Sequence, residues 1–122
     1  MKPLLLAIIA MALALPAPAI AGKADVTGAK AVYEGKDLFS FEVTVFHGDE
    51  GWKHYADRWV VVTPDGKVIA TRVLMHPHVD EQPFTRGLSS VKIPPSITHV
   101  TIRAHDSVHG YGGRDAVVAL RR

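Results

Sequence analysis

The sequence contains no cysteine. That excludes disulfides, thiolate metal ligands and thiol nucleophiles, and leaves a small domain to be held by its apolar core alone. An excess of charge is missing too: 14 basic side chains, Lys2 among them, stand against 12 acidic ones. Without clustered positive charge there is no electrostatic footprint for nucleic acid or for an anionic membrane. No apolar run reaches the ~20 residues of a spanning helix. No window past the first residues has convincing helical amphipathicity, and there is neither an internal repeat nor a low-complexity tract.

What is present begins with "MKPLLLAIIAMALALPAPAIAG". One lysine, an apolar run from Leu4 to Leu15 and a small-x-small close at Ala19-Ile20-Ala21 make the pattern of a secretory signal peptide. The expectation is a leader over residues 1–21 and one domain over 22–122, periplasmic or secreted, with no membrane attachment after cleavage. About a hundred residues suit a single domain.

The rest of the chain reads as strands. In "FSFEVTVF", Phe39, Phe41, Val43 and Val45 fall on one side and Ser40, Glu42 and Thr44 on the other, the alternation of a strand with one buried and one wet face. "RWVVVT" stops at Pro64-Asp65-Gly66, a turn set by proline's fixed φ and glycine's tolerance of positive φ, and resumes as "VIATRVLM" to complete a hairpin. Shorter strands follow in "LSSVKI", "THVTIRAHD" and "DAVVAL", and "GAKAVYEG" precedes them all. Seven short strands with these turns predict an all-β, immunoglobulin-like antiparallel sandwich; a closed barrel is the alternative, because the pattern does not say which strands pair.

Histidine is the enriched residue, with seven copies. Consecutive antiparallel strands alternate direction, so every second connection lies at the same pole. His47 and His54 fall in the second connection, His76 and His78 in the fourth, His105 and His109 in the sixth. Only His99 belongs with the short turns of the opposite pole. Long, titratable loops gathered at one end of a rigid scaffold are where function is expected. The histidine loops are therefore read as walls of one shared site, including "HPHVDEQPFTR" with Asp80, Glu81 and Arg86.

At "HDSVHGYGG" the sequence resembles the superoxide reductases, or desulfoferrodoxin iron domains. Lys53-His54 with Glu50 nearby is similar to that family's early Glu-Lys-His element, His76-Pro77 with His78 to its His-Pro segment, and Asp106-Ser107-Val108-His109-Gly110 to its closing motif. The resemblance implies an immunoglobulin-like sandwich with non-haem iron at one pole. It makes His54, His76, His78 and His109 the ligands; the gathering of histidines at one pole adds His47 and His105 as further candidates. Asp106 stands where the family has its cysteine, and no other cysteine replaces it. Read as following the outward face of His99, Thr101, Arg103 and His105, Asp106 is either a ligand or a cap for the amides of Val108 and His109.

Imidazoles with one carboxylate suit Fe(II), the expected ion, and also Zn(II) or Cu(II). A small oxidant and an electron donor would be the partners, with Lys53 steering an anion to the metal. The other reading is a non-enzymatic module that uses the same loops, and Trp52, Tyr55, Phe84 and Tyr111, to bind a protein.

Overall fold

The structure is a computed structural model, and it describes residues 22–122. The expected leader, residues 1–21, lies outside the described residues. Seven strands run as β1 (Asp25–Gly35), β2 (Leu38–Phe46), β3 (Ala56–Val62), β4 (Val68–Val73), β5 (Phe84–Lys92), β6 (His99–Asp106) and β7 (Ala116–Ala119). They form two sheets, ordered β1-β2-β5 and β4-β3-β6-β7. Every pairing is antiparallel. The domain is all-β, two sheets packed face to face.

Alternation dictates the core. Phe39, Phe41, Val43 and Val45 of β2 meet Trp59 and Val61 of β3 and Val100, Ile102 and Ala104 of β6 between the sheets, all buried. Sealing such side chains contributes ~1.5–3 kcal/mol apiece, which is how a chain without disulfides holds together. At the lower pole the connections are tight. Gly66 takes a φ of 89° and donates its N–H to the Thr63 carbonyl at 2.9 Å, closing the Pro64-Asp65-Gly66 turn.

Two features differ from the sequence expectation. β5 begins at Phe84 rather than Leu88, so Phe84-Thr85-Arg86 pair with Val45, Thr44 and Val43 instead of belonging to the loop. Phe84 is 2% exposed, a core residue and not a contact for a partner. Asp106 does not follow the outward face of β6. It extends the inward series Val100, Ile102, Ala104 and is fully buried. A carboxylate at a core position must be compensated. The compensation is the site.

Candidate metal centre

The connections 47–55, 74–83 and 107–115 meet at the upper pole, as strand parity requires. Each loop places polar groups there, and His47, Asp49, His54 and His78 are buried. In the first, Gly51 at a φ of 104° closes a turn in which Glu50 donates its N–H to the His54 carbonyl at 2.8 Å. That turn brings the His54 ring back onto Glu50, Nδ1 to Oε1 at 2.8 Å. In the third, Asp106 and Gly110 exchange backbone hydrogen bonds, each 3.1 Å, and the small loop carries His109 over the buried carboxylate. Ser107 joins the two loops: its N–H reaches the Tyr55 carbonyl at 2.9 Å and its Oγ accepts the Tyr55 N–H at 3.1 Å.

Asp106 is the centre. Its Oδ1 accepts the amide N–H groups of Val108, at 2.8 Å, and His109. Its Oδ2 faces three imidazoles: His47 Nε2 at 3.1 Å, His109 Nδ1 at 3.1 Å and His54 Nε2 at 3.5 Å. Cap and site group are thus one side chain, divided between its two oxygens. Burial alone would raise this carboxyl, but the amides of His109 and Val108, the His109 ring and the charge of His47 hold it at about 2.

The imidazole tautomers follow from the outer partners. His47 Nδ1 lies 2.6 Å from Asp49 Oδ1, an acceptor, so Nδ1 carries the proton. His54 Nδ1 is likewise protonated toward Glu50. Both rings then turn Nε2 toward Asp106 Oδ2. The carbonyl oxygen of Gly22 is also there, 3.0 Å from His47 Nε2. His54 Nε2 is buried without a hydrogen-bond partner among the described residues. Acceptors converge, and only a proton or a cation reconciles them. Burial lowers His47, yet the Asp49 hydrogen bond and charge and the Asp106 carboxylate outweigh it, leaving its pKa raised.

The spacing suits an ion. Ligand atoms ~2.1 Å from a common centre at tetrahedral or octahedral angles lie ~3.0–3.4 Å apart. The Nε2–Oδ2 separation of 3.1 Å falls in that range and that of 3.5 Å just beyond it, and His47, His54 and Asp106 offer three ligand atoms all within 4.8 Å of one another. This buried His-His-Asp cluster can coordinate a metal, and the carboxylate behind each histidine is the arrangement that fixes ring orientation and raises ligand basicity.

Asp49 carries no signal in the sequence beyond standing two residues after His47. It is 6% exposed and accepts three bonds: from His47, from the Ala56 N–H at 3.0 Å and from the His78 N–H at 2.6 Å. Burial raises it, and those donors more than reverse the effect, so its pKa is lowered.

Of the sequence-derived candidates, His54, His109 and Asp106 come together with His47. His78 stands behind Asp49. Its Nε2 accepts from Arg86 at 2.9 Å and its ring stacks on Phe84 at 3.9 Å, with burial and then the Arg86 charge lowering its pKa. His76 is exposed, with Nδ1 3.0 Å from the Pro77 carbonyl. His105 faces outward, paired with Asp57 at 2.6 Å and edge-on to Tyr111. Lys53 is exposed. Arg86 also reaches Glu81 at 3.3 Å.

No protein-family model matches the chain, and no solved structure gives a significant match. The sequence is 42% identical over 84 residues to a protein of Halomicrobium mukohataei described as a putative lipoprotein. That stretch is 69% of this chain but 41% of the relative, so the chain spans well under half the length of the protein it matches.

Proposed function

We propose that the protein is an exported metal-binding domain in which His47 Nε2, His54 Nε2 and Asp106 Oδ2 hold a divalent transition ion, with His109 beside them toward solvent. One observation carries the reading: the Nε2 atoms of two buried imidazoles and a buried carboxylate oxygen converge, all within 4.8 Å of one another. Two imidazoles and one carboxylate leave positions open on Fe(II), the ion favoured by the likeness to superoxide reductases; Zn(II) and Cu(II) suit the same donors. Bound iron would supply one-electron chemistry toward a small oxidant such as superoxide, recharged by an external electron donor. Asp106 in place of the family's thiolate makes a harder and less donating site. Lys53, on the loop carrying His54, would draw an anionic oxidant toward that pole.

The immunoglobulin-like reading draws support from the strand order. β1, β2 and β5 face β3, β6 and β7, as in the constant-type fold, except that β4 pairs with β3 rather than with β5. Export draws support from the leader pattern and from the relative's description, since a lipoprotein is a membrane-anchored product. This sequence has no cysteine, so it offers no thiol for a lipid. A second reading, docking of a protein partner, is favoured by exposed apolar residues on the pole loops, with Trp52 66% and Met75 72% exposed.

The test is metal content and binding. Protein recovered from its native compartment should carry one ion per chain, and His54→Ala should lose it while remaining folded by circular dichroism. Metal-free native protein, together with no ligand-field bands when Co(II) is titrated into purified protein, would overturn the proposal.

A further inference from the structure

We propose that Gly22 is itself a ligand of this centre: its carbonyl oxygen, and its α-amine once the leader is removed, chelate the ion beside His47. The inference rests on the metal-binding reading above.

The first ground is contact. The Gly22 carbonyl oxygen lies 3.0 Å from His47 Nε2, the atom assigned to the metal. The same nitrogen lies 3.1 Å from Asp106 Oδ2, so Gly22 belongs to the same convergence.

The second ground is that the fold builds this position. Two residues on, Ala24 is 1% exposed and part of the core. Asp25 pairs with Phe46, which sets the preceding residues alongside His47. The Asp25 carboxylate accepts the Arg114 N–H at 2.7 Å, and the Val26 N–H reaches the Arg114 carbonyl at 2.8 Å. A Cβ on Gly113 would strike the Ala24 carbonyl, so that close approach needs a glycine. Only Lys23 separates Gly22 from this anchor.

The third ground is room. Gly22 lines an open cleft of about 590 Å³ together with Lys23, Phe46, His47, His109 and Gly112. The cleft gives a terminal amine room beside His47 and His109.

The fourth is sequence. Removal of residues 1–21 at Ala19-Ile20-Ala21 makes Gly22 the first residue. An α-amine binds a metal by giving up its proton. Its nitrogen and the carbonyl oxygen of the same residue close a five-membered ring on one ion, and the proton leaves to solvent. An uncleaved chain offers at that place only an amide nitrogen, which is a poor donor.

The experiment compares three forms of the folded domain: one beginning at Gly22, one retaining Ala21, and one beginning at Nα-acetylated Gly22. Zn(II) affinity is read by competition with a chromophoric chelator, and His54→Ala in the first form reports on the centre itself. Retaining Ala21 or acetylating Gly22 should each weaken Zn(II) by at least about tenfold, the lower end of what loss of a group merely supporting a ligand costs. If all three forms bind alike while His54→Ala does not bind, the Gly22 assignment is wrong and the centre stands. If His54→Ala binds as well as the parent, the centre is wrong and Gly22 falls with it. N-terminal sequencing of the exported protein that begins anywhere but Gly22 also overturns the assignment.

Discussion

Asn in place of Asp106 separates the two duties of that side chain. The Asn carbonyl can occupy the Oδ1 position and keep the amides of Val108 and His109, whereas its NH₂ takes the Oδ2 position and offers protons to His47 Nε2, 3.1 Å away, and His54 Nε2, 3.5 Å away. The cap survives and the ligand does not. Asp106→Asn should therefore remain within ~1 kcal/mol of the parent when metal-free, since neutral hydrogen bonds replace charged ones. Asp106→Ala removes the cap as well. Two amide bonds to a carboxylate, each worth ~1.5–3 kcal/mol, lose their acceptor, partly offset by relief of the buried charge, for a net loss of about 3 kcal/mol. In a domain of this size that lowers Tm by roughly 10–20 °C. The assays are thermal unfolding of the metal-free variants and Zn(II) affinity of the folded ones. Asp106→Asn that binds Zn(II) as tightly as the parent would show that Oδ2 is no ligand. Asp106→Asn as unstable as Asp106→Ala would show that the cap is not what holds the 106–110 loop.

Three further outcomes follow from the same geometry. Asp106 is depressed from 3.8 to about 2, so its contribution is fully present above pH ~4 and is lost as pH falls through ~2, amounting to roughly 2 kcal/mol; acid titration followed by circular dichroism should show that loss, and Asp106→Asn should flatten it. Asp49→Asn keeps a neutral partner on His47 but removes its charge and one amide acceptor, and should cost ~10–100-fold in Zn(II) affinity; unchanged binding would contradict the tautomer argument. Gly113→Ala forces a Cβ against the Ala24 carbonyl and should destabilise by ~1–3 kcal/mol, with faster hydrogen exchange at the Val26 amide; an unaffected Val26 would mean the segment is not held there.

The strand plan was legible because buried faces alternate: Phe39, Phe41, Val43 and Val45 announce both the strand and its inner face. Parity of the connections located the pole without any knowledge of pairing. The same alternation carries Asp106 inward after Val100, Ile102 and Ala104, although a carboxylate at a strand end invites an outward reading. Asp49 was hidden for a related reason, since "HGDE" looks like a solvated turn and only the folded chain supplies the amides of Ala56 and His78 that make burial tolerable. His76-Pro77-His78 has the look of a chelating pair. Its proline turn sends one ring to the surface, and Arg86, placed by the early start of β5, engages the other. That partner comes from strand register, which local composition does not encode.

The distribution of the cluster along the chain sets a timing. His47, His54 and Asp106 arrive on three strand ends, and the loop that seats Asp106 closes only when Gly110 pairs back on it. The donors meet only with β2, β3 and β6 all in place, since β6 lies beside β3 in the second sheet. An ion held by all three donors would therefore require the assembled sandwich. Sites of comparable affinity for several metals are filled according to what is at hand. Which ion such a centre would hold therefore depends on the surroundings in which the sandwich forms as well as on the donors.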